Sequence, residues 1–463
     1  ADAGYDADRL LFNPLFDGVH PQGIARCGSA ADVAACLAFT EAHGVPFAVR
    51  GGGHSFGGYS TSTGLVIDLT PMSQVAVGPG STAQIGAGAR LIDVYAGLAD
   101  HGVMIPAGSC PTVGIAGLTL GGGVGVVSRK YGLTIDNLQA AEVVLADGRT
   151  VTCDDRHEPD LFWALRGGGA GSFGVVTSFT FRTRPAPSLA LGGLHWPWSA
   201  AGAVLSAWLD WAPTAPDELW SNALLLAQDT VPSGHGKEGG EPTVRVGAVY
   251  VGSSGGLASL LDDLVRRVGH APISRTGHTA GYLDAMRYEG GCSDRSIAQC
   301  RLPSQGPAGQ LAREASVARA EYLGAKLPDA GIQVIVDAVT RRQADPGLSG
   351  GGAAFDAYGG AINRVPPTAT AFVHRNPRCG VLLNGTLPAG SEQSVVDANA
   401  AWVDGLGMAL KPYVDGEAYQ NYVDPRRPDW AQAYYGANLA RLREVKRRYD
   451  PHNRFHFAQS IPR

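Results

Sequence analysis

Apolar positions recur with a helical period after Ser29, where Val33, Cys36 and Leu37 fall on one face, and the pattern stops at Gly44. Serine is a favoured N-cap and glycine a favoured terminator, so a helix is expected between them. Phe47 to Arg50 then reads as a buried strand that ends abruptly in three glycines and His54. Leu65 to Leu69 is a further strand, a glycine-rich strand passes near Ile85, and Leu91 to His101 has helical spacing. Glu142 to Leu145 and Arg149 to Cys153 pair around Asp147 and Gly148 as a hairpin, followed by a short helix over Asp160 to Leu165. Phe173 to Phe181 alternates Phe, Val, Thr, Phe, Phe on one face, the signature of a half-buried strand.

Pro185 and Pro187 punctuate the chain, and the texture changes after them. Helical patterns over Ala200 to Trp211, Leu257 to Val268, Gly331 to Arg342 and Glu392 to Met408 alternate with strands at Ser221 to Leu226, Val244 to Val251, Ala371 to His374 and Val381 to Asn384. An antiparallel sheet covered by helices is expected there, making the chain α+β. Leu439, Leu442, Val445 and Tyr449 share one helical face that Asp450 and Pro451 terminate, and this stripe needs a partner to bury it. The expected organisation is a first unit over 1–187, a second over 188–410, and a segment over 411–463 that returns to the first.

With 463 residues the chain exceeds one ordinary core, and its 44% hydrophobic and 17% charged residues are those of a globular protein. A formal charge of −5 without a Lys/Arg-rich stripe argues against nucleic acid as a partner. The one basic cluster, Arg441 to Arg448, reads as the solvated face of the last helix. No apolar run is long enough to span a membrane, so no membrane partner is expected. Cys292 and Cys300 could close a short disulfide loop; their spacing matches no standard zinc pattern, and no metal site is expected. Cys27 and Cys36 read as buried thiols. The first residues, ADAGYDADRL, carry no charged-then-apolar leader; a removed leader would fit secretion, and an edited sequence would fit equally.

The deviation in composition is glycine, at 64 residues, and it points to where chemistry lies. In the stretch from Pro106 to Asn137 a cysteine is followed by six glycines before the first charge at Arg129; Arg50 to Ser60, RGGGHSFGGYS, repeats the theme. Such backbone, with bare N–H groups, suits a flat or anionic ligand such as a nucleotide. The glycines after Arg50 do not open a helix, so loops between strands, not a Rossmann turn, would hold it. His54, in a loop leaving a strand, and Cys110, in irregular backbone, read equally well as structural or reactive side chains.

RGGGHSFGGYS, then GSCPTVGIAGLTLGGGVG, then NYVDP and YYGANLARLREVKRRYDPHNRFHFAQSIP, in that order, resemble the berberine bridge enzyme and oligosaccharide oxidase group of flavoproteins, of the vanillyl alcohol oxidase (para-cresol methylhydroxylase) fold. The resemblance covers the first 185 residues and about the last 45, and leaves the middle open. It implies FAD attached twice, by His54 to the flavin 8α carbon and by Cys110 to ring carbon 6. The chemistry would be the cofactor's, and the protein would orient it. Backbone N–H groups of Gly51 to Ser55, Gly52 and Gly53 among them, and of Gly117 to Gly125, Gly122 and Gly123 among them, would cradle the pyrophosphate. Arg50, Phe56, Ser60, Gly108, Ser109, Gly114, Leu118, Val126, Asn137, Gly174, Val176 and Asn421 complete the implied cofactor-binding set.

Val113 stands where oxidases of the group carry a residue small enough to admit oxygen. In similar enzymes a tyrosine of the Y-x-N-Y segment faces the flavin, which makes Tyr419 and Tyr422 the candidate bases; a phenol near pKa 10 needs its anion stabilised, and Lys411, Arg375 or His374 could do so. Leu118 stands where many plant and fungal relatives have histidine, Val124 where several have an aromatic, and Phe56 where some sugar oxidases have tyrosine. The implied reaction is hydride removal from the alcohol carbon of a saccharide or glycosylated compound, with O2 reduced to H2O2. The alternative is a tailoring oxidase acting on an allylic alcohol or a carbon next to nitrogen, and a non-catalytic binding or storage protein is a third reading. Trp196, Trp198, Trp220 and Trp402 are candidate sugar platforms or core residues.

Overall fold

Ser29 caps the Ala30–His43 helix as its spacing requires: its Oγ accepts from the Asp32 N–H at 3.2 Å, and Gly44 closes the helix at φ 61°. The computed structural model describes residues 2–227 and 241–463. Three parallel strands follow the order Gly23–Arg26, Leu65–Asp68, Phe47–Arg50. Beside them an antiparallel sheet runs Val75–Gly78, Thr82–Gly86, Val175–Arg182, Leu138–Val144, Thr150–Cys153. The alternation read from 173–181 has its cause here, since Phe173, Val175, Thr177, Phe179 and Phe181 are all buried.

The third sheet has seven antiparallel strands, in the order Ser274–Gly281, Ser188–Trp196, Thr243–Tyr250, Leu219–Ala227, Gly351–Ala357, Cys379–Leu387, Ala315–Leu323. Side chains alternate between its two faces. Leu194, Trp196, Phe355 and Leu383 join the core formed with the helices Ala201–Trp211, Ser254–Val268, Asp329–Ala344 and Gln393–Leu410. Leu189, Leu191, Ala320 and Tyr322 point the other way, into the core shared with the glycine-rich loops. The fold is α+β, as expected.

Four of the seven strands carry no pattern that betrays them. Ser274–Gly281, SRTGHTAG, is an exposed edge strand without apolar alternation. Ala315–Leu323 carries Arg319 and Glu321, charges tolerated because Glu321 accepts from Arg319 Nε at 2.7 Å and from Arg427 Nη1 at 3.1 Å. Ser188–Trp196 and Gly351–Ala357 are broken by glycines. Conversely, the strand expected at Ala371 to His374 is irregular. Its amides bond to a helix end, Ala371 N to Trp163 O at 3.2 Å and Phe372 N to Arg166 O at 3.1 Å.

The last helix, Leu439–Tyr449, buries Leu442, Val445 and Tyr449, and the residues after it pack on the first sheets. Arg454 donates to the carbonyls of Leu37 and Ala146. The reading of Arg441 to Arg448 as a solvated face fails at Lys446, which is fully buried. Its ammonium donates to Asp450 and the Phe455 carbonyl at 2.6 Å and to the Ser172 carbonyl at 2.8 Å, so its three donors are satisfied without water. No helix among the described residues is long and apolar enough to cross a membrane.

Candidate active site

The two glycine-rich loops meet where neither can carry a side chain. A Cβ on Gly52 would lie 2.2 Å from Gly114 N, and one on Gly114 would lie 2.4 Å from Gly52 N. The segment around Arg90 ties the loops together: Leu91 N bonds Val113 O at 2.9 Å, Ile115 N bonds Ala89 O at 3.0 Å, and Arg90 Nη1 donates to Gly51 O at 3.4 Å. This contact brings His54 to the cysteine loop, where its Nε2 is hydrogen-bonded to Thr112 Oγ1 at 2.9 Å. Phe12 stacks on the imidazole with ring centres 3.7 Å apart. His54 is thus partly buried. Burial, helped by the Arg90 charge, lowers its pKa to about 3, so the ring stays neutral with a lone pair on Nδ1 or Nε2.

His54 and Cys110 line one cavity of about 970 Å³. Cys110 shows surface to that cavity but sits deep in it; burial, then Glu314, pushes the thiol up to about 11. Gly51, Gly52, Gly53, Ser55, Phe56, Ser60, Gly108, Ser109, Val113, Gly114, Gly117, Leu118, Gly174, Val176 and Asn421 also line it. Six of the implied set do not. Arg50 turns into a neighbouring polar cavity, donating to Ser60 O at 3.3 Å and to Asp8 O. Val126 is core, and Asn137 donates to Tyr131 O and Leu133 O, closing its own turn. Gly122, Gly123 and Gly125 shape the loop: the first two have φ of 129° and 80°, and a Cβ on Gly125 would lie 1.8 Å from Ala107 O. Residues 115–120 are helical, so the N–H groups of Leu118, Gly121 and Gly122 are engaged within that turn, correcting the picture of a bare cradle over 117–125.

Tyr419 and Tyr422 both reach the cavity and meet edge to face, ring centres 5.1 Å apart. Their oxygens differ. Tyr419 Oη accepts from Gly123 N–H at 3.0 Å and from Asn421 Nδ2 at 2.9 Å, while Asn421 also donates to Leu118 O at 3.0 Å. Tyr419 and Asn421 therefore pin the C-terminal segment to the glycine run. Burial raises the Tyr419 phenol despite these donors, and burial followed by the Asp356 charge raises Tyr422 well above the ordinary value.

No sequence pattern singles out Asp356. It lies on Gly351–Ala357, where Ala353, Phe355 and Ala357 face the helices, so Asp356 faces the cavity side. Burial raises it to about 6. Glu289, at the end of the Tyr282–Glu289 helix, is raised to about 7 by burial and then by Asp356. The next residue, Gly290, packs against Ser109 O and Pro111, which fixes this carboxylate beside the cysteine loop. Cys292 and Cys300 follow with Cα atoms 5.8 Å apart, within disulfide reach.

The three cations considered for a phenolate are committed elsewhere or exposed. Arg375 forms a two-pronged pair with Asp136 at 2.8 and 2.9 Å, and His374 bonds Glu417 at 2.7 Å and Tyr434 O at 3.0 Å. Lys411 is exposed. The tryptophans are not platforms either: Trp196 and Trp220 are buried, and the indole N–H groups of Trp198 and Trp402 bond Thr340 and Ala338 in the helical layer.

Four buried polar atoms along the cavity have no partner in the protein: Tyr59 Oη, Thr61 Oγ1, Gln420 Oε1 and Gln459 Oε1. Leu118, Val124, Val175 and Val176 give the same cavity apolar walls. This combination fits a long ligand carrying both ring surface and hydrogen-bonding atoms, as FAD does. Gln420 and Gln459 lie inside the resembling segments, where no local pattern marks them; the roles of Phe12 and Thr112 exist only once the loops are folded.

Residues 21–154 match the family model described as FAD binding domain, and 418–462 the model described as berberine and berberine like. The uncharacterized FAD-linked oxidoreductase YvdP of Bacillus subtilis (strain 168) is 33% identical, covering 100% of this chain and 96% of its own. Among solved structures, Physcomitrella patens BBE-like 1 superposes with a TM-score of 0.88 at 29% identity, covering 100% of this chain and 96% of that one. Glucooligosaccharide oxidase from Acremonium strictum, described as carrying a 6-S-cysteinyl, 8α-N1-histidyl FAD, gives 0.87 at 26% identity, with 99% and 95% covered.

Proposed function

Because the chain belongs to the berberine bridge enzyme-like family of FAD-linked oxidoreductases, we propose that it is an oxidase acting on the alcohol carbon of a saccharide or glycosylated compound, with O2 as acceptor and H2O2 as product. FAD would be attached through His54 and Cys110. The observation that carries this reading is the single cavity shared by a neutral His54, held by Thr112, and the Cys110 thiol. If Thr112 Oγ1 accepts from Nε2–H, the Nδ1 lone pair is left as the attaching nucleophile. When bound, FAD supplies the hydride acceptor and returns the electron pair to O2.

The residues supply orientation and the proton path. Tyr422 takes the proton of the substrate hydroxyl on Oη while Asp356 accepts the tyrosine's own proton, which requires an ionised carboxylate. Activity therefore rises with pH through about 6, the value to which burial moves Asp356, and a kcat profile shows that acid limb. An Asp356→Asn variant loses it. A limb unchanged in that variant removes Asp356 from the path. Tyr419, its oxygen held by two donors, positions the segment.

Intact mass after denaturation tests the attachment. The wild-type chain is heavier than its sequence by one FAD, each single variant, His54→Ala or Cys110→Ala, keeps that increment, and the double variant loses it. A bare mass for the wild type rejects both links. The same spectrum, before and after reduction, reports whether Cys292 and Cys300 are joined, as in the oxidising, extracellular setting we propose. The second reading, a tailoring oxidase with the same flavin, is favoured by Trp196, Trp198 and Trp402 packing in the helical layer, while Trp220, in the core on the other face of the sheet, does not line the cavity either. Peroxide release across a panel of oligosaccharides and nitrogen-bearing or allylic alcohols separates the two.

A further inference from the structure

The Gly52–Gly53 backbone is also a wall of a second cavity, of about 230 Å³, whose lining is dominated by charge. Arg26, Arg50, Arg90 and Arg301 enter it from four different segments, against the carboxylates Asp8, Asp68 and Asp93. Asp93 accepts from Arg301 Nη2 at 2.5 Å, Asp8 meets Arg26 at 3.5 Å, and Asp68, the foremost opposite charge acting on Arg50 and Arg90, accepts the Thr70 N–H at 2.9 Å, so each carboxylate already has a partner. Three guanidinium nitrogens have none. Arg50 Nη2, Arg90 Nε and Arg301 Nε are buried with no acceptor in the protein, and Arg50 as a whole is only 4% exposed. A buried charged donor without a partner is costly, and four guanidinium groups against three carboxylates leave one positive charge in excess.

We infer that this cavity binds a small inorganic oxyanion of the phosphate type, held by Arg50, Arg90 and Arg301. A tetrahedral oxyanion offers acceptors in several directions at once, the match for donors converging from three segments, and its charge offsets the excess. The anion would join the strand end at Arg50 and the Arg90 brace to the 301–305 segment, whose Gln305 donates to Thr112 O at 3.5 Å. It would also offset the Arg90 charge that disfavours protonation of His54. The site is separate from the large cavity, and its existence does not depend on the flavin chemistry.

Calorimetric titration of the purified flavoprotein with inorganic phosphate, at ionic strength fixed with sodium chloride, tests it. One saturable site per chain is expected. Arg301→Gln, which removes a donor and a charge, weakens binding about tenfold, and Asp93→Asn, which frees Arg301 and removes a negative charge, tightens it by a similar factor. Generic damage to the fold cannot move the two variants in opposite directions. Absence of saturable heat, or an affinity that both variants leave unchanged or both weaken, overturns the inference. Should Arg301→Gln not fold, Asp93→Asn decides alone: tighter binding supports the site, and equal or weaker binding rejects it.

Discussion

Tyr422→Phe lowers kcat on an alcohol substrate by about a thousandfold, inside the range a positioned proton acceptor contributes, while the protein keeps its flavin. The choice of Tyr422 over Tyr419 rests on what each oxygen already does. Tyr419 Oη accepts from Gly123 N–H and Asn421 Nδ2, so its lone pairs are engaged before any substrate arrives. Tyr422 packs by its ring edges on Phe56 and Tyr419, and Asp356 leads the charges acting on it. That charge makes the phenolate unfavourable, so in the proposed mechanism Tyr422 would act as a relay, handing its proton to the carboxylate as it takes one from substrate, and not as a standing anion. Tyr419→Phe, by contrast, leaves the Gly123 N–H without its acceptor and is read mainly as lost stability, about 1 kcal/mol. Steady-state peroxide formation, with flavin absorbance to normalise active enzyme, checks both. Tyr422→Phe within fivefold of wild type, beside a crippled Tyr419→Phe, would exchange the roles.

The helices were legible where the signal is local. Ser29, the 3.6-residue stripe and Gly44 specify 30–43 without help from the rest of the chain. The 173–181 alternation was legible because both neighbours of that strand bury the same face. What stayed hidden is set at long range. Arg319 and Glu321 hide the Ala315–Leu323 edge strand because Arg427, more than a hundred residues away, satisfies the charge. Lys446 reads as surface because its partners, Ser172 O and Phe455 O, exist only after the tail has docked.

The site divides the same way. Glycine density located the loops, and the ordered motifs made His54 and Cys110 the expected flavin attachments; neither could show that Arg50 lines a second cavity, or that Asp356 is buried on the face opposite the helices of a sheet built from residues 188–387. A carboxylate flanked by Phe355 and Ala357 looks like a local interruption of a strand. It becomes chemistry when the strand is placed in its sheet.

Gly52→Ala is the variant that separates this architecture from a generic glycine-rich loop. The added methyl would stand 2.2 Å from Gly114 N and 2.5 Å from Gly114 Cα, both backbone atoms fixed by the bonds of Leu91 and Ile115 to their loop. No side chain can swing aside, so the loops must separate, at a cost of about 3 kcal/mol, the upper part of the usual range for overpacking. Separation also carries His54 from Thr112, and with it the alignment that the proposed attachment at two points demands. The expected result is a lowered unfolding midpoint in urea together with a fall in the fraction of chains carrying the FAD mass. Gly255→Ala provides the contrast: at an exposed position of the Ser254–Val268 helix its Cβ would meet no protein atom within 4 Å, and it stabilises by about 0.5–1 kcal/mol through helix propensity alone. If Gly52→Ala matches Gly255→Ala in stability and in bound flavin, the loops do not need to touch, and the joint placement of His54 and Cys110 loses its physical basis.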